Sequence, residues 1–223
     1  MQKLNTGALF THRERSIVYD TLLKFEYPWE IIPHITKIVK SLGKSLSPEE
    51  YYSTADGVYI SISATVARSA VILPPAIIMS GAEIRHSAYI RGSVIVGRGA
   101  VVGNSTEVKN SILFDSVEVP HFNYIGDSIL GYKAHLGAGA VTSNIKSDRT
   151  NVTISYYGER VETGLRKFGA ILGDFVEVGC GSVLNPGTVI GPDTIIYPLT
   201  SVRGFIPEHS IVKSGGVAVE KRG

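Results

Sequence analysis

An apolar residue recurs at every sixth position through two long stretches of this 223-residue chain. The first run holds ten such residues, from Ile60 to Phe114, and the second holds six, from Leu172 to Val202. A period of six fits neither the 3.6-residue repeat of a helix nor the two-residue alternation of a half-buried strand. It fits a solenoid in which each hexad is a short strand plus a corner, and three hexads complete one coil. We therefore predict an all-β fold, a left-handed parallel β-helix of hexapeptide repeats.

The residues around each repeated aliphatic support this prediction. A small or β-branched residue stands two positions earlier, as at Ala82 and Thr188, and glycine often follows, as at Gly103. We interpret these glycines as places where the backbone turns without a Cβ atom. Coils stacked about 4.8 Å apart would pair their backbones and join the aliphatics into one core. A β-sandwich with accidental spacing is the alternative, and so many consecutive matches argue against it. Between the two runs the register slips by single residues, through Val119, Ile125, Leu130 and Leu136.

Residues 1–50 lack the six-residue period and have helical spacing instead. The apolar residues of one helical face are Ile31, Ile35, Ile38 and Leu42, with Ile32 and Val39 beside them. Pro28 suits the start of this helix and Gly43 its end. We predict a helical N-terminal cap over residues 1–50 that covers the open edge of the solenoid, followed by a β-helix domain over residues 51–223.

A second break in the repeat spans about 145–166. This segment keeps no hexad phase and is rich in polar residues. Long excursions from a regular scaffold are more often functional than incidental, so we expect this one to contribute to a site.

Composition excludes several functional classes. The 22 basic and 20 acidic residues give a net charge of +2 and form no basic run of the kind that binds nucleic acid. No stretch approaches the roughly 20 apolar residues that cross a bilayer, and the N-terminus does not resemble a secretory signal. Cys180 is the only cysteine, so no intrachain disulfide is expected. These features predict a cytoplasmic protein without nucleic-acid or membrane partners.

Polar residues follow a distinctive spacing between Glu107 and Asn144. The segment contains EVK at Glu107–Lys109, HFNYIGD at His121–Asp127 and GAG at Gly137–Gly139. These motifs resemble the acetyltransferase half of the bifunctional enzymes that make UDP-N-acetylglucosamine in bacteria and archaea. In that family a left-handed β-helix transfers acetyl from acetyl-CoA to the 2-amino group of glucosamine 1-phosphate. The resemblance covers roughly residues 60–202, and YPWE at Tyr27–Glu30 is similar to the linker of archaeal-type members.

The resemblance assigns roles to individual residues. It implies that His121 is the catalytic base and that Ala138 and Asn144 lie along acetyl-CoA. The residues implied to hold the sugar phosphate are Arg91, Lys109, Tyr124 and Lys167. His135 stands where the family has an asparagine that contacts the sugar, and Ile145 stands where it has an aromatic residue. For Cys180 we expect a structural or CoA-lining role. The resemblance further implies a homotrimer with each active site between subunits, acetyl-CoA as co-substrate, and no metal requirement.

Elementary chemistry agrees with these roles. Arg91 and Lys109, one coil apart on one wall, would make a paired site for a phosphate. The amine must lose a proton as it attacks the thioester, and histidine has a pKa suited to accepting that proton near neutral pH. Glu107, on the neighbouring coil, could orient the His121 ring. The backbone amide of Ala138 is a candidate donor to the developing oxyanion.

Two other functions stay open at this point. His86, His121 and His135 could be imagined as the zinc ligands of a γ-class carbonic anhydrase, although their spacing does not match that family. Alternatively, the chain is a non-catalytic assembly module for a sugar nucleotidyltransferase. No glycine-rich nucleotide-binding loop occurs before residue 50, so uridylyl transfer is not expected of this chain itself.

Overall fold

A computed structural model describes residues 1–221, and it is a parallel β-solenoid of three walls. The chain visits the walls in the order A, B, C in every complete coil, and after the last complete coil it ends on wall B. The predicted β-helix is therefore confirmed, and its hexads form the strands and corners of a prism.

The strands of each wall stack in chain order. Wall A contains β1 (Tyr51–Ala55), β2 (Val58–Ser61), β5 (Ala76–Ile78), β8 (Val94–Val96), β11 (Ser111–Leu113), β14 (Ile129–Leu130), β19 (Ala170–Leu172), β22 (Thr188–Ile190) and β25 (Phe205–Ile206). Wall B contains β3 (Thr65–Val66), β6 (Glu83–Ile84), β9 (Val101–Asn104), β12 (Glu118–His121), β15 (His135–Leu136), β20 (Glu177–Val178), β23 (Ile195–Ile196), β26 (Ser210–Val212) and β27 (Ala218–Glu220). Wall C contains β4 (Val71–Ile72), β7 (Tyr89–Ile90), β10 (Glu107–Lys109), β13 (Tyr124–Gly126), β16 (Val141–Thr142), β21 (Val183–Leu184) and β24 (Ser201–Val202).

Coil length explains the register slip seen in the sequence. Val58 pairs with Ala76, 18 residues later, whereas Val94 pairs with Ser111, 17 residues later. A coil of 17 residues shortens one corner by one residue, so the following aliphatics move by one position and still point inward. The repeated aliphatics are buried from Ile78 to Val202, and only Val66 and Ile72 in the first coil are half-buried.

Glycines after the aliphatics serve a different purpose from the one predicted. Gly103 is not among the residues with a left-handed backbone, but a Cβ atom there would overlap the Pro120 carbonyl oxygen on the next coil. The absence of a side chain permits the close stacking of coils. The left-handed corner positions are instead held mostly by other residues, including Ser87 and Phe122.

Wall A has a second apolar ladder on its outer side. The ladder consists of Ile77, Ile95, Ile112, Ile129, Ile171 and Val189, all at most 1% exposed. Each stands immediately before an inward-facing aliphatic, and neighbouring side chains of a strand point to opposite faces. At the equivalent positions walls B and C have a mixture of residues, such as Glu83, Glu107 and Val183, and none of them is buried. Wall A therefore needs a covering layer.

The N-terminal segment provides that layer. It contains 3-10 helices Gln2–Leu4, Arg13–Arg15 and Pro28–His34, and α-helices α1 (Thr6–Leu9), α2 (Tyr19–Leu22) and α3 (Ile35–Ser45). The Phe10 ring lies 4.7 Å from that of Phe114, and the Trp29 ring lies 6.0 Å from that of Phe168. The prediction that this segment covers the open N-terminal edge is wrong, because its contacts run along the side of the solenoid as far as Glu208.

Two details of the predicted helix also differ. Pro28 begins a 3-10 helix rather than an α-helix, and α3 continues past Gly43 to Ser45. Gly43 is buried against the Tyr59 ring, which a Cβ atom at this position would overlap. This glycine permits α3 to contact wall A closely. The first strand, β1, runs antiparallel to β2 and covers the wall A end of the N-terminal edge.

The 145–166 excursion contains a β-hairpin of β17 (Thr153–Tyr156) and β18 (Glu159–Glu162). It is inserted between β16 and β19. The hairpin packs on its own chain, since the Tyr156 ring lies 5.1 Å from that of Phe205. Val152 and Ile154 are fully buried, so the excursion is a packed part of the fold. None of the helices within residues 1–221 has the length and apolar character that crossing a membrane would require.

Candidate active site

Arg91 and Lys109 lie one coil apart on wall C. The Arg91 N–H donates to the Val108 carbonyl oxygen at 2.8 Å, and Val108 pairs with Ile90. In the same register, the next residue, Lys109, lies opposite Arg91 on the neighbouring strand. Two cations in this relation suit a phosphate group, which accepts several charge-assisted hydrogen bonds at once.

Each of the two cations already has a carboxylate partner. Arg91 Nη1 donates to Glu107 Oε1 at 2.6 Å, and Lys109 Nζ donates to Asp127 Oδ2 at 3.3 Å. The hydrogen bond to Glu107 raises the pKa of Arg91, which keeps the guanidinium charged. The Arg91 and Glu107 side chains are 43% and 32% exposed, so solvent screens this pair and it adds little to stability.

Glu107 does not lie where its predicted role requires. It begins β10 on wall C, whereas His121 ends β12 on wall B. The Glu107 carboxylate is bonded to Arg91, and within residues 1–221 no hydrogen bond joins it to His121. Orientation of His121 by Glu107 would need a rotation of the Glu107 side chain, and that role stays a prediction.

Tyr124 and Asn144 complete the cluster on wall C. Tyr124 pairs with Glu107 across neighbouring strands, and its hydroxyl accepts a hydrogen bond from Asn144 Nδ2 at 3.3 Å. Burial, followed by the charges of Asp127 and Glu107, raises the pKa of Tyr124, so its hydroxyl stays protonated. Asn144 Nδ2 also donates to Asp127. Side chains from three consecutive coils thus form one network around Asp127.

Asp127 is a site residue that the sequence analysis missed. Its side chain is 5% exposed, and Asn110 Nδ2 donates to it at 2.7 Å in addition to Lys109 and Asn144. A buried carboxylate with three donors fixes the positions of those donors. Its place as the last residue of HFNYIGD is the sequence signal that could have identified it.

His121 lies at the corner between walls B and C. Its side chain is exposed, and its carbonyl oxygen accepts a hydrogen bond from the Gly139 N–H at 3.0 Å. The buried Asn123 side chain accepts from the His121 N–H at 3.1 Å and donates to the carbonyl oxygens of Gly137 and Ala140. Asn123, also missed from the sequence, therefore ties the candidate base to the GAG segment.

Ala138 and Cys180 lie on the same corner, on successive coils. The Gly181 N–H donates to the Ala138 carbonyl oxygen at 2.9 Å, and the Cys180 thiol is exposed. Within residues 1–221 the Ala138 N–H donates to no backbone oxygen. That N–H is therefore free to donate to a ligand at this corner, as an oxyanion donor must be.

His135 lies apart from the cluster on wall C. It begins β15 on wall B, and its Nδ1 atom lies 2.8 Å from Glu177 Oε2. Its register partners are Glu118 and Glu177, on the adjacent coils of the same wall. His135 and Lys109 belong to different walls, and the expected contact of His135 with the sugar stays a prediction.

Lys167 is brought to the cluster by the ends of the excursion. The Phe168 N–H donates to the Asn144 carbonyl oxygen at 3.0 Å, so the chain leaves and re-enters the solenoid at one point. Lys167 is exposed and lines a cleft of about 600 Å³ beside that point.

The three histidines of the zinc hypothesis are not assembled. The His86 Nδ1 atom lies 2.8 Å from Ser69 Oγ, while the His135 Nδ1 atom lies 2.8 Å from Glu177 Oε2 on the adjacent coil. In the part of the chain that the structure describes, no three His, Cys, Asp or Glu residues are grouped for a metal ion. The carbonic anhydrase hypothesis therefore has no support from the geometry.

Comparison with known proteins gives one family match. The model of the family described as "GMPPB C-terminal domain" matches residues 72–190, just over half of the chain. That range contains the motif residues from Arg91 to Cys180.

Curated relatives match over a shorter segment. "Bifunctional protein GlmU" of Methanococcus vannielii is 39% identical over 79 residues, which is 35% of this chain and 19% of the relative. "Bifunctional sugar-1-phosphate nucleotidylyltransferase/acetyltransferase" of Sulfurisphaera tokodaii is 33% identical over 79 residues, 35% of this chain and 20% of the relative. The match thus spans about a fifth of the length of these relatives. Their names confirm the resemblance that the motifs indicate.

Among solved structures, one match is the acetyltransferase domain of PglB from Neisseria gonorrhoeae in complex with acetyl coenzyme A. It is 18% identical with a TM-score of 0.35, and the alignment covers 74% of this chain and 57% of that one.

Proposed function

The chain belongs to the family of GMPPB C-terminal domains, and from that premise we propose that it is an acetyl-CoA-dependent N-acetyltransferase acting on an amino-sugar 1-phosphate. The proposed acceptor is glucosamine 1-phosphate, in the synthesis of a UDP-N-acetylhexosamine. The observation that carries the proposal is the position of His121. It lies at the corner of the GAG segment, next to the wall that holds Arg91, Lys109 and Tyr124.

On this proposal, wall C binds the sugar phosphate. Arg91 and Lys109 would bind the phosphate group and Lys167 would approach it from the excursion. The Tyr124 hydroxyl, kept protonated by its raised pKa, would donate to the sugar. Glu107 and Asp127 would share their cations with the phosphate.

The acetyl transfer itself would use the corner of walls B and C. The sugar 2-amine attacks the thioester carbonyl carbon and gives up a proton to His121. The Ala138 N–H donates to the oxyanion that forms. The C–S bond then breaks, and the CoA thiolate leaves and takes the proton that His121 accepted. Asn144 and Cys180 would lie along acetyl-CoA, and the transfer needs no metal ion.

A homotrimer and a cytoplasmic location remain parts of the proposal. Phe122 and Leu199 are 60% and 83% exposed on the corner that holds His121, and both have a left-handed backbone. Large apolar side chains in that conformation are costly, and covering by another subunit would offset part of the cost.

The second candidate is a non-catalytic assembly module of a sugar nucleotidyltransferase. Both phosphate-binding candidates are neutralised by carboxylates, as in a purely structural network. The family description also names a domain rather than a reaction. Under this hypothesis the wall C cluster would stiffen the solenoid and bind no sugar phosphate.

A thiol-release assay separates the two candidates. The protein is mixed with acetyl-CoA and, in turn, with glucosamine 1-phosphate, galactosamine 1-phosphate and a blank without acceptor. Acceptor-dependent release of CoA supports the enzyme, and mass spectrometry of the product identifies the acetylated amine. Absence of release with every amino sugar, from a folded protein that binds no acetyl-CoA, would favour the module.

A further inference from the structure

The excursion creates a strongly basic cleft beside the wall C cluster. The cleft of about 600 Å³ is lined by Ile145, Lys146, Ser147, Arg149, Arg166 and Lys167. Four of these six residues are cations and none is an acid. Lys146, Arg149, Arg166 and Lys167 are called the cationic cleft below.

These cations are largely free to bind a ligand. Lys146 Nζ lies 3.3 Å from Asp148 Oδ2 and also bonds Thr150. In contrast, Arg149, Arg166 and Lys167 form no ion pair within residues 1–221, and all three are exposed. Arg91 and Lys109 differ, because each is already paired with a carboxylate. Unpaired cations converging on one concave surface create a positive potential that attracts anions.

The cleft is held in shape by the fold. The Val152 N–H donates to the Leu165 carbonyl oxygen at 2.7 Å, and the Thr163 hydroxyl donates to the Val152 carbonyl oxygen at 2.5 Å. Val152 is fully buried, so the two ends of the excursion are fixed to each other. The Arg149 N–H donates to the Lys146 carbonyl oxygen at 3.0 Å, in a turn where Arg149 has φ = 58°. A preformed cleft binds without the entropic cost of ordering a loop.

The cleft is also continuous with the proposed active site. Its first lining residue follows Asn144, whose side chain donates to Asp127 in the Lys109 network. A neighbouring cleft of about 300 Å³ shares Lys146 and adds Arg203 and Asp148, the partner of Lys146. The cationic cleft therefore lies next to the place proposed for the sugar phosphate.

We infer that the cationic cleft is a second anion site, in which Lys146, Arg149 and Arg166 bind a phosphate-bearing part of a substrate beyond the sugar phosphate that Arg91, Lys109 and Lys167 would hold. This inference rests on the proposed function for the identity of the substrates. A single sugar phosphate does not need six cations, whereas a further phosphate or pyrophosphate group does. That group belongs either to the nucleotide part of acetyl-CoA or to a nucleoside diphosphate attached to the amino sugar.

Binding of inorganic pyrophosphate tests the site without relying on catalysis. The R149E/R166E variant reverses two cleft charges that have no ion-pair partner in the described residues. Isothermal titration should show pyrophosphate binding to the wild type and at least about tenfold weaker binding to this variant, because charge-assisted contacts are lost. K40E/K44E, on the exposed side of α3, is the matched control and should bind as the wild type does. Equal pyrophosphate affinity in all three proteins would overturn the inference.

Kinetics then identify the source of the phosphate. A higher KM for acetyl-CoA in R149E/R166E would show that the cleft binds the nucleotide part of the co-substrate. Competition by CoA and by dephospho-CoA is measured beside it. A higher KM for a UDP-linked amino sugar, with that for the sugar 1-phosphate unchanged, assigns it to the acceptor. If neither KM changes in an active enzyme, the cleft is not a substrate site. If pyrophosphate binding is lost in the variant but no amino sugar is ever acetylated, the proposed function fails and the anion site stands.

Discussion

Asp127 Oδ2 lies 3.3 Å from Lys109 Nζ, and the two residues belong to adjacent coils of the solenoid. The carboxylate is nearly buried, whereas a quarter of the lysine side chain is exposed. The lysine is therefore held with its ammonium group at the edge of the network, where an incoming phosphate can reach it. This geometry makes Lys109 a residue whose removal should affect binding more than folding.

For Lys109→Ala we expect a loss of substrate binding with little change in turnover. Removing a charge-assisted contact costs about 1.5–3 kcal/mol, so KM for the sugar phosphate should rise by roughly 10- to 150-fold. Steady-state kinetics with varied sugar phosphate measure this change. Lys133→Ala, an exposed lysine on another corner, is the control and should leave KM unchanged. A fall in kcat without a rise in KM would contradict a ground-state phosphate contact.

For His121→Ala we expect a loss of turnover with fold and acetyl-CoA affinity near those of the wild type. The loss of a general base typically lowers the rate by about 10²–10⁴-fold. His86→Ala is a matched control, because His86 lies on the same corner two coils earlier. Unchanged turnover in His121→Ala would remove it from the mechanism. Release of zinc from this variant, measured by elemental analysis, would instead revive the carbonic anhydrase hypothesis.

For Ile84→Asp we expect strong destabilisation. Ile84 is fully buried between Val66 and Val102 of the neighbouring coils, so a carboxylate there would be unpaired among aliphatics. The cost should be at least about 3 kcal/mol, which lowers the Tm by roughly 6–12 °C in a chain of this size. Ile62→Asp, at a side chain 67% exposed, should change the Tm little. Equal melting temperatures for the two variants would contradict the assigned repeat phase.

A substitution at Leu199 tests the proposed homotrimer. Light scattering should give the mass of three 24.0 kDa chains for the wild type. Leu199→Asp should shift the population toward monomers on dilution, because it places a charge on an exposed apolar corner that we expect a neighbour to cover. Ile62→Asp is again the control and should stay trimeric. A monomeric wild type at working concentration would count against an active site between subunits.

A second pattern, separate from the six-residue period, indicates which wall the N-terminal segment covers. Ile77, Ile95 and Ile129 precede inward aliphatics of wall A and are buried, whereas Val71 and Val101, at the equivalent position of the other walls, are not. The period alone does not distinguish the three walls. Which wall the N-terminal segment covers follows from this second ladder, and it explains why α3 lies along the side of the prism.

The sequence by itself determined the solenoid, its core and the coil on which each motif residue lies. A six-residue period kept over so many hexads favours one arrangement, because each inward aliphatic must meet the aliphatics of the coils above and below. For the same reason the spacing of Arg91 and Lys109 along the chain is enough to place them one coil apart.

Only the tertiary structure decided the side-chain partners and the packing of the segments outside the repeat. Glu107 bonds Arg91 rather than His121, and His135 bonds Glu177, because partners depend on the wall and on side-chain rotation as well as on the coil. Contacts such as that of Tyr156 with Phe205 hold the hairpin of the excursion on the solenoid, next to the basic cleft. Such contacts join residues far apart in the chain that share no period, so no local pattern encodes them.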